Sequence, residues 1–294
     1  MATLQNGSTR RNCTSWMLFF FGLSYPMATN AGDLTSLFNE NWFRAVVSIE
    51  VMTSPTNSQS IGTGFIVMTP SNHCALVTAK HVVVERGSDT NIVSGLAYRL
   101  NKTGQPTYLI PEVAIMPILG GWILSTNADL AARFISWADQ SEFSPITVQD
   151  LLPQSNVQAT ASIDILGFPM GLRSEEHQVP IVRRGTVARS DPGNLVLDCF
   201  VFPGNSGGPV VYVPVLKFGG GLISSPLVNS EKLVGIVISE ITYNEDAYSL
   251  QTMHRRVSFE ENSGLCNAVP VDRLLELMDC EEFKRIDGAA ETRP

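Results

Sequence analysis

Charge and titratable bases are scarce in this chain. Only 16% of its 294 residues are Asp, Glu, Lys or Arg, and only four are histidine. The 20 basic residues are outnumbered by 28 acids, for a net charge of −8. That balance leaves no electrostatic footprint for nucleic acid and no polybasic segment for an anionic membrane surface. No apolar run approaches the ~20 residues that a helical membrane span requires. Five cysteines include no C-x-x-C pair and no Cys/His cluster at ligand spacing, so neither a metal nor another cofactor is expected.

What remains is 44% hydrophobic, ample for a buried core. The first residues differ from the rest. Arg10 and Arg11 precede the short apolar run "WMLFFFGL", and the small residues of "MATNAGD" follow. Basic, apolar, then small is the layout of a secretory signal. The expected organisation is a signal peptide over 1–31, one domain over 32–286 and a frayed tail over 287–294, with a secreted or periplasmic mature protein. Cys74, Cys199, Cys266 and Cys280 then remain. An exported chain with four cysteines could form two disulfides, Cys266 with Cys280 among the pairings, or keep free buried thiols.

From residue 43 onward short β-branched and aromatic runs alternate with turn residues. They include "AVVSIEV" (45–51), "GTGFIVM" (62–68), "CALVTA" (74–79), "LAARFI" (130–135), "SIDILGF" (162–168), "RRGTVAR" (183–189), "NLVLDCF" (194–200), "PVVYVPV" (209–215) and "KLVGIVIS" (232–239). Many short strands without intervening long helices predict an antiparallel sandwich or barrel. Two helices are predicted. One lies in "AGDLTSLFNENWFR", capped by Asp33. The other spans 269–286, with Leu274, Leu275, Met278 and Phe283 at helical spacing. "KFGGGLISS" reads as a hairpin loop, and no repeat or second domain is visible.

The stretch "FVFPGNSGGPVVY" (200–212) surrounds one serine with Gly204, Asn205, Gly207 and Gly208, then stops at Pro209. Glycines permit backbone angles that turn neighbouring N–H groups toward one point. Such a cradle suits a serine nucleophile, because acyl transfer needs amide donors for the oxyanion. A serine also needs a base, and the base a carboxylate to orient it. His81 ends the strand of "ALVTAKHVV", a rigid place for a catalytic side chain, and Asp129 in "STNADLAARFI" precedes an apolar strand. His73, His177 and His254 lie in polar turns and read as solvated.

With these residues in hand, the sequence resembles the trypsin-like serine peptidases of the chymotrypsin fold. Within them it resembles the bacterial branch that includes the heat-shock (high-temperature-requirement) proteases. The matching pieces are "GTGFIV", "VTAKHVV", "ADLA", "ILGFPMGL", "RRGTV", "PGNSGGPVV", "LVGIVIS" and "AVPVDRLLELM", in that order along the chain. The resemblance implies an all-β fold of two six-stranded antiparallel β-barrels with a C-terminal α-helix. It implies His81, Asp129 and Ser206 as a catalytic triad and the amides of Gly204 and Ser206 as the oxyanion hole. The strand at Ile238 and Ser239 would pair with a polypeptide substrate, and Phe200 would form the base of the primary specificity pocket.

Two departures qualify the resemblance. Asn205 stands where many secreted relatives carry the aspartate that receives a new N-terminus, so activation by N-terminal insertion is not expected. The chain ends soon after its last predicted helix, so the PDZ module common in the heat-shock branch is not expected. A catalytically silent homologue acting as a binding or scaffolding protein is the alternative function. An esterase of the α/β-hydrolase type is disfavoured, because its acid follows the serine and its elbow leads into a helix.

Overall fold

The computed structural model describes residues 39–102, 105–114, 120–135, 143–173, 178–214 and 230–290. The signal-like segment 1–31, Asp33, His177 and the loop 217–225 lie outside the described residues.

A short helix α1 (Asn41–Ala45) leads into the first sheet. Its strands are β1 (Val46–Met52), β2 (Ser58–Met68), β3 (Cys74–Thr78), β4 (Leu96–Lys102), β5 (Gln105–Pro111), β6 (Ile123–Leu124) and β7 (Ala131–Ile135). They lie in the order β5-β4-β1-β2-β3-β7-β6, every pairing antiparallel. The second sheet comprises β8 (Ser162–Gly167), β9 (Ile181–Asp191), β10 (Asn194–Asp198), β11 (Pro209–Tyr212), β12 (Lys232–Tyr248) and β13 (Arg255–Pro270), and it closes into a barrel. The expected all-β architecture of two antiparallel sheets is present. Of the two six-stranded barrels expected, the second sheet closes with six strands, whereas the first has seven strands and is not closed among the described residues.

The central strands are apolar on both faces, which explains their unbroken hydrophobic runs. Along β2, Phe65 and Val67 face the core shared by the two sheets, while Ile66 between them faces the interior of the first sheet. The same alternation places Ala75 and Val77 of β3 on one side and Leu76 on the other. In the second barrel Val211 joins the shared core and Val210 fills the barrel. A period of two with both faces covered makes these strands read as continuous runs.

The single predicted C-terminal helix is two: α3 (Val271–Asp279) and α4 (Glu281–Ala290), broken at Cys280, whose backbone is extended. Leu274, Leu277, Met278, Phe283 and Ile286 bury into the shared core, and Phe283 packs on Phe134 with ring centroids 4.7 Å apart. Leu275 is only partly buried; Leu277 takes the inward place. Of the tail expected to fray over 287–294, residues 287–290 instead continue the helix, with Asp287 5% exposed and held, and 291–294 lie outside the described residues. Its carboxylate accepts from Thr69 Oγ1 at 2.5 Å and Ser71 N at 3.3 Å, and pairs with His73 Nδ1 at 3.0 Å. His73, read as solvated, therefore anchors α4 to the β2–β3 turn. All four described cysteines are free, so the disulfide pairings considered for them do not form. Among the described residues no helix is long and apolar enough to cross a membrane.

One buried carboxylate ties the first sheet to the loop after β8. Glu50 is fully buried. It accepts from Arg99 Nε at 2.7 Å, Arg99 Nη2 at 3.0 Å and Arg173 Nη1 at 2.8 Å, and it also bonds the Ser58 hydroxyl. Burial alone would raise its pKa. The bonds from Arg99 and Ser58 and the charges of Arg99 and Arg173 outweigh burial and hold it below the ordinary 4.5. A depressed folded pKa contributes stability that is present above 4.5 and is lost as pH falls through the lower folded value. Glu50→Ala should cost about 3–5 kcal/mol in urea unfolding at pH 7, since it strands two guanidinium groups. The gap from wild type should narrow as pH drops below 4.5; an unchanged gap would remove Glu50 as the source of the acid sensitivity.

Candidate active site

His81 sits on α2 (Lys80–Val83), a single helical turn that follows β3 directly. Ala79, Val82 and Val83 are buried and fix this turn against the first sheet. Asp129 lies in the turn between β6 and β7. Because Thr78 is in register with Ala131, the turns carrying His81 and Asp129 emerge at the same end of the sheet. The Asp129 turn is closed by Ser125 N donating to Leu130 O at 2.9 Å, and Lys80 Nζ reaches Ser125 O at 3.2 Å.

Asp129 grips His81 twice. Its Oδ1 accepts the His81 backbone N–H at 2.9 Å, and its Oδ2 lies 2.6 Å from the ring Nδ1. Burial would raise the Asp129 pKa. The hydrogen bonds and charge of His81, with the charge of Lys80, more than reverse this and hold it below 3.8. An ionised carboxylate can only accept, so Nδ1 must donate, and in a neutral ring Nε2 is then the acceptor.

The serine loop comes from the second barrel, and its backbone can be accounted for atom by atom. The Pro203 carbonyl accepts from Met170 N at 2.6 Å, and the Asn205 carbonyl accepts from Gly208 N at 2.9 Å. Asn205 N donates to Phe202 O at 2.9 Å, and Gly207 N to Val237 O at 2.8 Å. In a trans peptide the N–H points away from its own C=O. With the Pro203 and Asn205 carbonyls turned inward, the amides of Gly204 and Ser206 point the other way. Among the described residues neither has an acceptor. Gly204 has φ +100°, and a Cβ there would stand 2.3 Å from Phe168 O, so only glycine fits.

The Ser206 hydroxyl rests on Ile238 O at 3.4 Å and is not hydrogen bonded to His81. Both side chains line one cleft of about 410 Å³, whose walls include Val201, Phe202, Ser239, Glu240 and Glu260. Ile238 is the extra residue of a β-bulge, between the pairs Val237–Ala268 and Ser239–Asn267, which turns its carbonyl toward the serine. Pairing of β12 with β11 ends at Ile236. Beyond Val237, the edge at Ile238–Glu240 has no strand neighbour among the described residues.

The expected residues His81, Asp129, Ser206, Gly204, Ile238 and Ser239 thus converge. Phe200 does not: the residue is 53% exposed, its ring lies against Gly264, and it is not part of the cleft wall. Cys199 and Val201 turn inward, so extended alternation sends Phe200 outward. Acidic Glu240 and Glu260 on the wall were not anticipated, because the outer half of β12–β13 shows no apolar alternation. Burial raises the thiols of Cys199 to about 11 and Cys266 to about 12, so neither is a thiolate at neutral pH. Among the described residues no group of three or more His, Cys, Asp or Glu could hold a metal ion.

Comparison with known proteins gives one family match. A family described as "Trypsin-like peptidase domain" matches residues 62–213, a span that contains His81, Asp129 and Ser206. A similar solved structure is that of an HtrA-type protease with a tripeptide, with 16% of residues identical and a TM-score of 0.43. The match covers 80% of this chain and 59% of that one. No curated protein sequence matches.

Gly204→Ala tests the geometry of the serine loop. The added methyl meets Phe168 O and demands a backbone angle that alanine avoids, so the Gly204 amide must turn. Any acyl-transfer activity should fall by roughly 10²–10³, the usual cost of one lost oxyanion donor. Wild-type activity in this variant would show that the amide plays no such part.

Proposed function

The chain belongs to the trypsin-like peptidase family, and from that premise we propose that it is a serine endopeptidase cleaving polypeptides through an acyl-enzyme. The observation that carries the reading is the paired grip of Asp129 on His81 across a cleft from a serine with two unused amides.

The polypeptide substrate lies along the free edge of β12 at Ile238–Glu240, adding a strand by main-chain hydrogen bonds. Ser206 Oγ leaves the Ile238 carbonyl and attacks the scissile carbonyl carbon while His81 Nε2 takes its proton. Catalytic hydrogen bonds are often unmade before substrate binds, which fits the resting serine. The carbonyl oxygen becomes an anion between the Gly204 and Ser206 amides, whose fixed carbonyl partners leave no reorganisation to be done. Collapse expels the amine, which receives the proton from His81. Water, deprotonated by His81, then hydrolyses the ester at Ser206. Asp129 stays ionised throughout, holding the tautomer and stabilising the imidazolium.

A fluorophosphonate probe tests this directly. Wild type should label and Ser206→Ala should not. Asp129→Asn should fold normally yet lose turnover by a factor on the order of 10⁴, because the imidazole adopts the wrong tautomer. Labelling that survives Ser206→Ala would overturn the nucleophile. A wild type that never labels would point to a catalytically silent homologue.

A further inference from the structure

Thr63 on β2 is fully buried and makes four hydrogen bonds, three of them to the second barrel or the turn that follows β8. Its hydroxyl donates to Gly204 O at 2.6 Å and accepts from Phe168 N at 3.0 Å. Its backbone N–H donates to Ser206 O at 2.9 Å, and its carbonyl accepts from Thr78 Oγ1 at 2.7 Å. It therefore touches the carbonyls of both residues whose amides stand free, from the sheet that carries His81.

We propose that the Thr63 hydroxyl is the positioning group that holds the Gly204 amide in its oxyanion-binding orientation. The inference rests on the reading of Ser206 as nucleophile and says what sets one of its two donors.

The hydroxyl works in two directions at once. As donor it pins the Gly204–Asn205 peptide, whose N–H then reaches Phe202 O. As acceptor it pins Phe168 N at the start of the turn Pro169–Gly171. Two residues on, Met170 N holds Pro203 O at 2.6 Å. That bond fixes the Pro203–Gly204 peptide and so the direction of the Gly204 N–H. Met170 is itself at φ +55°, a conformation that a side chain rarely adopts and that its surroundings must hold in place. Without the hydroxyl, Gly204 O and Phe168 N are left buried and unpaired. Rotating the Gly204–Asn205 or the Gly167–Phe168 peptide would relieve that penalty, and movement at Phe168 would draw Met170 N away from Pro203 O and free the Pro203–Gly204 peptide to turn. Rotation of Pro203–Gly204 would turn a carbonyl into the site in place of an N–H. Serine retains both roles of the group; valine matches threonine in shape and retains neither.

The test compares Thr63→Val with Thr63→Ser, normalising rates to active sites titrated with a fluorophosphonate. Thr63→Val should lower kcat per titrated site roughly 10- to 100-fold with KM within about twofold, as expected when only transition-state donors are disturbed. Labelling should slow in parallel, and Thr63→Ser should recover most of the rate. A purely architectural role would reduce the titratable fraction and leave kcat per site unchanged, which would overturn the inference. So would a serine variant as slow as the valine one. The ¹⁵N amide resonance of Gly204 gives a readout that needs no activity. It should be single in wild type and Thr63→Ser, and shifted or doubled in Thr63→Val. If wild type fails to label while that resonance responds, the nucleophile reading has failed and the positioning has not. An unmoved resonance refutes the positioning itself.

Discussion

The site depends on one close approach of backbone to backbone. β2 crosses the serine loop so tightly that Thr63 N meets Ser206 O at 2.9 Å. A Cβ on Gly207 would stand 2.1 Å from Thr63 O, and one on Gly62 would strike the Val82 side chain at 2.5 Å. No side chain fits at Gly207, so the spacing here is set by main-chain hydrogen bonds and the Thr63 hydroxyl rather than by adjustable apolar packing. Thr78, bonded to the Thr63 carbonyl, is three residues before His81. The imidazole and the serine are thus measured from the same few peptide groups, although 125 positions separate them in the 294-residue chain.

In a chain with little charge, the buried charges are each answered locally. Asp129 is matched to His81 and Lys80, Glu50 to two arginines, and Asp287 to His73 and two hydroxyl-bearing residues of one turn. The last two are remote from the cleft, yet both fasten segments that frame it. Arg173 follows closely on the turn that bonds Pro203 O, and Asp287 fixes the helices that close the shared core. Removing one partner would leave a desolvated charge, which is why such groups are costly to break even where their net contribution is small.

The sequence was informative where burial is two-sided or where chemistry demands a residue type. The runs at 62–68, 74–79 and 162–168 are strands because both faces are apolar, and "GNSGGP" is legible because its glycines occupy positions no other residue could take. Other elements left weaker traces. The outer half of β12–β13 carries Glu245, Asp246, Glu260 and Glu261, so its 17- and 16-residue strands were anticipated only at the inner end of β12. The helical run past Asp287 follows from its bonds to the β2–β3 turn, which no local pattern announces. Phe200 lies outside the cleft wall because the buried Cys199 and Val201 on either side of it turn it outward, which counting back from the serine does not reveal. Thr63 looked like an ordinary strand residue in "GTGF", since nothing local shows that its hydroxyl bridges two distant carbonyl and amide groups.

The central claim is that a hydroxyl, an imidazole and two unpaired amides form one reaction centre across the junction of the sheets. The most direct measurement is a crystal structure with a peptidyl boronic acid. The account predicts boron bonded to Ser206 Oγ, one boronate oxygen about 3 Å from the Gly204 and Ser206 nitrogens, and the peptide paired with β12 at Ile238–Glu240. Boron bound elsewhere, or a boronate oxygen facing away from both amides, would contradict it.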